Sequence, residues 1–172
     1  MQQRISKMGV IREYRPSDAD RITDIYNHYI TDTTITFETE PLDVDAMRQR
    51  LDGIASDYPL VVAEYDGDVA GYAYCHRWKQ SRSYSPTAET TLYVDTRYQR
   101  LGIGTALLRR LIDECRRRPS IHALIACITA DNASSRRLHE REGFMQVSEF
   151  KAVGLKFGRR LDVVDYELIV GQ

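Results

Sequence analysis

The sequence predicts a mixed α/β (α+β) domain, and three observations point there. Apolar residues recur at helical spacing in three segments, as in Ile22, Ile25, Tyr26 and Tyr29. Seven short runs rich in β-branched or apolar residues, such as Leu60–Glu64 and Ala123–Thr129, read as strands. The order is β-α-α-β-β-β-α-β-α-β-β, with clustered strands and only two crossover helices in the second half. A chain of 172 residues, 42% hydrophobic and 28% charged, is long enough and apolar enough for a buried core.

Val10–Tyr14 reads as the first strand, ended by Arg15-Pro16. Ser17 then predicts a helix cap, with Asp20 at capping-box spacing and a helix running to about Thr31. Thr33–Glu40 is polar and β-branched and reads as an extended loop. Asp43 predicts the cap of a second helix with Met47, Leu51 and Ile54 inward. Leu60–Glu64 and Val69–Arg77 flank Asp66-Gly67, a two-residue hairpin signal. Trp78–Pro86 is a polar loop, and Glu89–Val94 is the next strand. Gly102-Ile103-Gly104 opens a helix to about Arg118, with Leu107, Leu108, Leu111, Ile112 and Cys115 on one face. Ala123–Thr129 reads as a buried strand. Ser134–Glu142 is a helix ended by Gly143. Strands near Met145–Val153 and Leu161–Val170 complete the chain. The reading is one domain over residues 1–172, with 1–9 loosely ordered.

Composition narrows the function. The net charge is -1, from 24 basic and 25 acidic residues, which gives no reason to expect nucleic acid or a membrane as partner. No apolar run approaches the roughly 20 residues of a membrane helix. The first residues lack the apolar stretch of a secretory signal. Cys75, Cys115 and Cys127 are odd in number and far apart in sequence, which argues against a disulfide framework and a zinc site. Cys115 and Cys127 read as small buried hydrophobes. The expected setting is the cytoplasm, and no metal is expected.

The most informative stretch is Thr91 to Thr105. A strand leads into a loop with glycines at 102 and 104, and a helix follows at once. Backbone N–H groups there, with the helix dipole, converge on an anion site suited to a pyrophosphate, and Arg97 and Arg100 add charge at its rim. Two nucleotide readings fail: no Gly-Lys-Ser/Thr occurs, and Leu107 stands where a dinucleotide fingerprint needs its third glycine. On the residues alone, the two glycines serve a plain turn as well as an anion site.

Gln99-Arg100-Leu101-Gly102-Ile103-Gly104 resembles the acetyl-CoA motif of the GNAT N-acetyltransferases, and Asn132 to Phe144 is similar to the family's second element. Ile25–Tyr29, Thr36–Pro41, Trp78-Lys79, Glu89 with Tyr93-Val94, Arg137–Glu140 and Lys156-Phe157-Gly158 resemble the branch that acetylates phosphinothricin, methionine sulfone and methionine sulfoximine. The resemblance runs from about Val10 to Val170. It implies the acyl-CoA N-acyltransferase fold, a mixed central β-sheet flanked by helices, with acetyl-CoA as cosubstrate. It implies that Arg100, Leu101, Gly102, Ile103, Gly104 and Thr105 hold the pyrophosphate, that the backbone of Leu92, Tyr93 and Val94 pairs with the pantetheine arm, and that Asn132 contacts the cofactor.

Acetyl transfer to an amine needs a base and a route for the leaving thiolate. The resemblance assigns the base to Glu89. A carboxylate partly buried by an apolar strand has a raised pKa, which suits that task. His139 is the second ionisable candidate, placed where many family members carry tyrosine, with its direction of proton transfer open. The bland alternatives are a strand-end carboxylate for Glu89 and a structural helix histidine for His139. Substrate binding falls by resemblance to Phe37 and to the loop residues Lys79, Arg82, Ser83 and Tyr84, where Arg82 suits a carboxylate. Arg160 stands where the branch usually carries tryptophan, near a dimer partner in relatives. A homodimer acting on a small amino-acid-like acceptor is therefore expected. The other readings are a different acceptor, such as a protein N-terminus, and a non-catalytic acyl-CoA-binding module.

Overall fold

The computed structural model describes residues 9–171, so most of the segment expected to be loose lies outside the described residues. Seven strands form one sheet: β1 (Val10–Glu13), β2 (Leu60–Tyr65), β3 (Asp68–Arg77), β4 (Thr87–Val94), β5 (Ala123–Thr129), β6 (Met145–Lys156) and β7 (Arg159–Ile169). Their order across the sheet is β1-β2-β3-β4-β5-β7-β6. The helices are α1 (Ala19–Asp32), α2 (Val44–Asp57), α3 (Ile103–Arg116) and α4 (Ala133–Arg141). Element order and type agree with the sequence reading.

Local chemistry accounts for most boundaries. Asp66 and Gly67 both take positive φ, at 52° and 80°, as a tight hairpin between β2 and β3 requires. Asp43 caps α2 by accepting the Ala46 N–H at 2.7 Å, which bears out that expectation. The cap expected at Ser17 is a correction. Pro16–Asp18 form a short 3-10 turn. Asp18, not Ser17, accepts the Arg15 N–H at 2.8 Å and takes two further bonds from Arg12. That carboxylate closes the 3-10 turn back onto Arg15 and pairs with Arg12, and no side-chain cap bond is made at the start of α1.

The sheet separates two cores. On one face α3 buries Leu107, Leu108, Leu111, Ile112 and Cys115 against Ala63, Ala73, Cys75, Leu124 and Ala126. On the other, α1 and α2 bury Ile22, Ile25, Met47 and Leu51 against Leu60, Val62 and Tyr72. Every strand pair is antiparallel except β4–β5. That parallel pair is short. It joins Thr87–Glu89 to Ala123–Ile125 and then stops, so the two strands part in the middle of the sheet. No described helix is long and apolar enough to cross a membrane.

Candidate active site

The parting of β4 from β5 makes the site. The Asp95 N–H donates to the Ala70 carbonyl on the β3 side. Backbone groups alternate along a strand, so those of Tyr93, Thr91 and Glu89 also face β3, while those of Val94 and Leu92 face the gap. The Val94 carbonyl is met there by the Tyr29 hydroxyl at 2.5 Å. Leu92 thus presents main-chain donor and acceptor to open space, as an added strand or an amide-rich ligand needs. Its side chain and that of Val94 pack against the α3-side core. The Tyr93 ring packs with Tyr26 and Tyr29 at 5.0 and 4.9 Å on the other face.

A cavity of about 930 Å³ follows this gap, large enough for a cofactor and an acceptor together. Its wall includes Glu89, Leu92, Tyr93, Val94, Arg100, Gly102, Ile103, Gly104, Thr105, Asn132, His139 and Phe37. The predicted catalytic pair, nine of the ten cofactor calls and Phe37 therefore converge. Leu101 is the exception among the cofactor residues: it lies outside the wall and is exposed.

The loop after β4 is shaped by charge. Asp95 accepts the Arg97 backbone N–H at 2.9 Å and pairs with the Arg97 and Arg21 guanidinium groups. These partners hold its carboxyl down at about 2. Arg97 also binds Asp68 at 3.0 Å. Its charge is thus spent inside this cluster, which corrects the expectation that Arg97 serves the anion rim. Arg100 takes φ of 62° and Gly102 of 78°, so the chain turns left-handed twice before α3 begins. Gly104 lies in the first turn of α3, on the cavity wall. Arg137 and Arg141, one helical turn apart on α4, join Arg100 on the wall. Their i,i+4 spacing was available in the sequence and is the signal that would have found them. Asn132 caps α4, its Oδ1 accepting the Ser135 N–H at 3.2 Å.

Glu89 sits where the strands part. Its register partner across β4–β5 is Ile125, and across β3–β4 it is His76. Burial, aided by the negative charge of Asp165, pushes its carboxyl up to about 7. His76 Nε2 lies 3.9 Å from Glu89 Oε1. His76 is itself held below the ordinary imidazole value by burial, so near neutrality it gives Glu89 no cation to pair with. Sequence reasoning did not single out His76, because only the register of β3 against β4 brings it there.

Cys127 corrects a second expectation. It is exposed and lines the cavity on β5, where β5 has already separated from β4 and nothing covers it. Burial from the protein side and the nearby Asp165 and Glu89 push its thiol up to about 12, so it stays a neutral thiol and not a nucleophile. Cys75 and Cys115 are buried and free, with sulfurs 3.4 Å apart.

His139 is buried on α4, its ring 5.0 Å from Phe144. Nδ1 lies 2.8 Å from the Ser135 carbonyl. A carbonyl only accepts, so the neutral ring carries its proton on Nδ1 and leaves Nε2 as an acceptor. Burial holds the imidazole below its ordinary value, against the opposing pull of that hydrogen bond.

Among the predicted acceptor residues, Phe37 lines the cavity and is half-exposed. Lys79, Arg82, Ser83 and Tyr84 do not line it. They occupy the loop after β3, at the end of the sheet where Glu89 lies. Lys79 Nζ stacks over the Trp78 and Tyr84 rings at 4.2 and 4.9 Å, and Arg82–Tyr84 form a short 3-10 turn. The lining cations are Arg100, Arg137 and Arg141, all on the α3–α4 side. No group of metal-ligating residues occurs among the described residues.

Comparison with known proteins agrees with this geometry. Residues 22–144 match the acetyltransferase (GNAT) family. The chain is 37% identical over 164 residues to an L-methionine sulfoximine/L-methionine sulfone acetyltransferase of Salmonella typhimurium, covering 92% of each. It is 37% identical over 153 residues to a phosphinothricin N-acetyltransferase of Streptomyces viridochromogenes, covering 89% of this chain and 83% of the relative. A GNAT superfamily phosphinothricin acetyltransferase of Sinorhizobium meliloti, solved in complex with acetyl-CoA, superposes with a TM-score of 0.91 at 32% identity, covering 95% of this chain and 89% of that one. The split sheet, the left-handed loop into α3 and these likenesses agree: the chain belongs to the GNAT family of acetyltransferases.

Proposed function

We propose that this enzyme transfers the acetyl group of acetyl-CoA to the α-amino group of a small amino acid or analogue, in the class of phosphinothricin, methionine sulfone and methionine sulfoximine. The observation that carries the reading is Glu89: a carboxyl pushed up to about 7, on the wall of a cavity whose other end gathers three arginines and a helix N-terminus. A base with that pKa accepts a proton from an ammonium near neutral pH and still releases it to water. The relatives of known name act on amino-acid analogues, which supports the acceptor class.

In this reading the pyrophosphate of acetyl-CoA lies at Gly102–Thr105, with Arg100, Arg137 and Arg141 near it, and the pantetheine arm pairs with the free backbone edge at Leu92. Glu89 removes one proton from the acceptor ammonium. The amine then attacks the thioester carbonyl carbon and the C–N bond forms. His139 Nε2, unprotonated because Nδ1 is engaged, takes the second amine proton. It returns that proton to the coenzyme sulfur as the C–S bond breaks, so the products are amide and free thiol. Phe37 packs against the acceptor. Lys79 and Arg82, beyond the wall at the Glu89 end, meet its carboxylate at the mouth.

The test is thiol release from acetyl-CoA by the purified protein with phosphinothricin, methionine sulfone, methionine sulfoximine, common amino acids, a polyamine and a short peptide. Release with the sulfone, sulfoximine or phosphinate is expected. Release only with the peptide or polyamine overturns the acceptor class.

A homodimer belongs to the same proposal. β6 is an edge strand, and it exposes Met145, Val147, Phe150, Val153 and Leu155. A long edge with that much exposed apolar surface is a pairing surface unless something covers it. Light scattering at micromolar concentration is expected to give twice the chain mass, and Leu155→Asp to give the monomer mass. A monomer in the unsubstituted protein overturns this part.

A further inference from the structure

The mechanism leaves one buried cation unused. Lys156, near the end of β6, is 2% exposed. Its ammonium donates to the Thr36 carbonyl at 2.7 Å and lies 5.1 Å from the Phe157 ring centroid. It makes no salt bridge among the described residues. Burying an ammonium without a carboxylate is costly, so its position calls for a reason. Burial holds it below the ordinary lysine value. Charged or neutral, the amine still donates to a carbonyl, so the contact survives either state.

Thr36 is the inner point of the loop between α1 and α2. The loop is tied at its far end by Asn27, which exchanges hydrogen bonds with both backbone groups of Leu42. Thr36 Oγ1 meets the Tyr26 hydroxyl at 2.9 Å. The next residue, Phe37, reaches the cavity wall, and its ring lies directly on Gly154 of β6. A Cβ at position 154 would stand 2.4 Å from Phe37 Cζ and 2.7 Å from Cε2. Gly154 does not have positive φ, so its backbone does not require glycine; the space taken by the phenyl ring does. The hairpin between β6 and β7 therefore holds this loop at two neighbouring points, one polar and one apolar.

We propose that Lys156 and Gly154 are positioning residues: together they fix the Thr36–Phe37 segment and so set the width of the acceptor end of the cavity. This rests on the reading above that the acceptor binds at the Glu89 end beside Phe37. It adds that acceptor size is decided from β6, a strand with no residue on the cavity wall.

Two variants test it. Lys156→Met keeps an apolar stem of similar length and removes the donor. It is expected to speed amide hydrogen exchange over residues 34–38 and to raise the acceptor KM about tenfold through misplacement of Phe37. Acetyl-CoA affinity by calorimetry stays within about twofold, because that end of the cavity is untouched. Gly154→Ala displaces the ring. It is expected to change the preference among acceptors differing by one methylene by about tenfold, with acetyl-CoA affinity again unchanged. Unchanged exchange together with unchanged acceptor KM and preference overturns the proposal. So does a parallel loss of acetyl-CoA affinity, which marks general destabilisation. If the unsubstituted protein acetylates no amino acid, the acceptor reading fails, and the exchange measurement on Lys156→Met still decides whether the clamp exists.

Discussion

Glu89→Gln is expected to lower the rate of acetyl transfer by about 10²–10⁴-fold, the usual contribution of a positioned general base. Acetyl-CoA affinity is expected to stay as it is, since Glu89 lies at the opposite end of the cavity from the arginines and α3. The working form of the base is the carboxylate. Its pKa is about 7, so kcat/KM for the acceptor rises with pH up to that region and levels above it. In the glutamine variant this limb disappears. Stability moves the other way. Glu89 is raised in the folded protein, so between its ordinary value and about pH 7 the native state holds more protons than the unfolded chain. Stability from this group is therefore lost as pH rises through that window, and above it the buried charge costs most. Glutamine carries no charge, so the variant melts higher than the parent above pH 7 and the difference closes below pH 4. A pH–rate profile and paired melting curves check both halves. Full activity in the variant would remove Glu89 from the mechanism.

Gly104→Val is expected to weaken acetyl-CoA binding by about 10²-fold while the protein remains folded. A Cβ at 104 would meet Leu138 Cδ2 at 3.5 Å and Val94 Cγ2 at 3.7 Å, which are ordinary contact distances. Glycine is itself a poor helix residue, so valine inside α3 carries no propensity penalty relative to it. The new methyl groups stand at the first turn of α3 on the cavity wall, where a phosphate must come close to backbone N–H groups. Each hydrogen bond to a charged group contributes about 1.5–3 kcal/mol, so losing one or two accounts for about 10²-fold. Calorimetric titration with acetyl-CoA and with free coenzyme A should show the same loss, because both share the pyrophosphate. Unchanged affinity for either would move the phosphate site away from α3.

Much of this protein was readable along the chain because the signals are local. Asp66-Gly67 forms its hairpin, Asp43 caps α2, and the leucines of α3 face a core, each within a few residues of the signal that predicts it. The glycine loop was equally local, since positive φ at Gly102 is a property of the turn itself. Glu89 and His139 came from resemblance, and the cavity joins them only through the parting of β4 and β5. Ser17 failed as a cap because it lies inside the 3-10 turn that precedes α1, where Asp18 folds back onto the Arg15 N–H and Arg12. Arg97 failed as a rim charge because Asp95, two residues back, and Asp68 on β3, far away in the chain, both hold it.

The sequence by itself determined the order of elements, most of the turn chemistry and the inner faces of the helices, because each depends on spacing within one segment. Only the tertiary structure decided what depends on neighbours far apart in the chain. It ends the β4–β5 pairing at Glu89 and so frees the backbone at Leu92. It sets His76 beside Glu89 and leaves Cys127 open to the cavity. It turns Lys156, beside a hairpin tip, into a buried donor to a carbonyl 120 residues away in the chain. Register and burial are properties of the assembled sheet. A carboxyl pushed up to about 7 and an ammonium held under a loop therefore exist only once the strands have met.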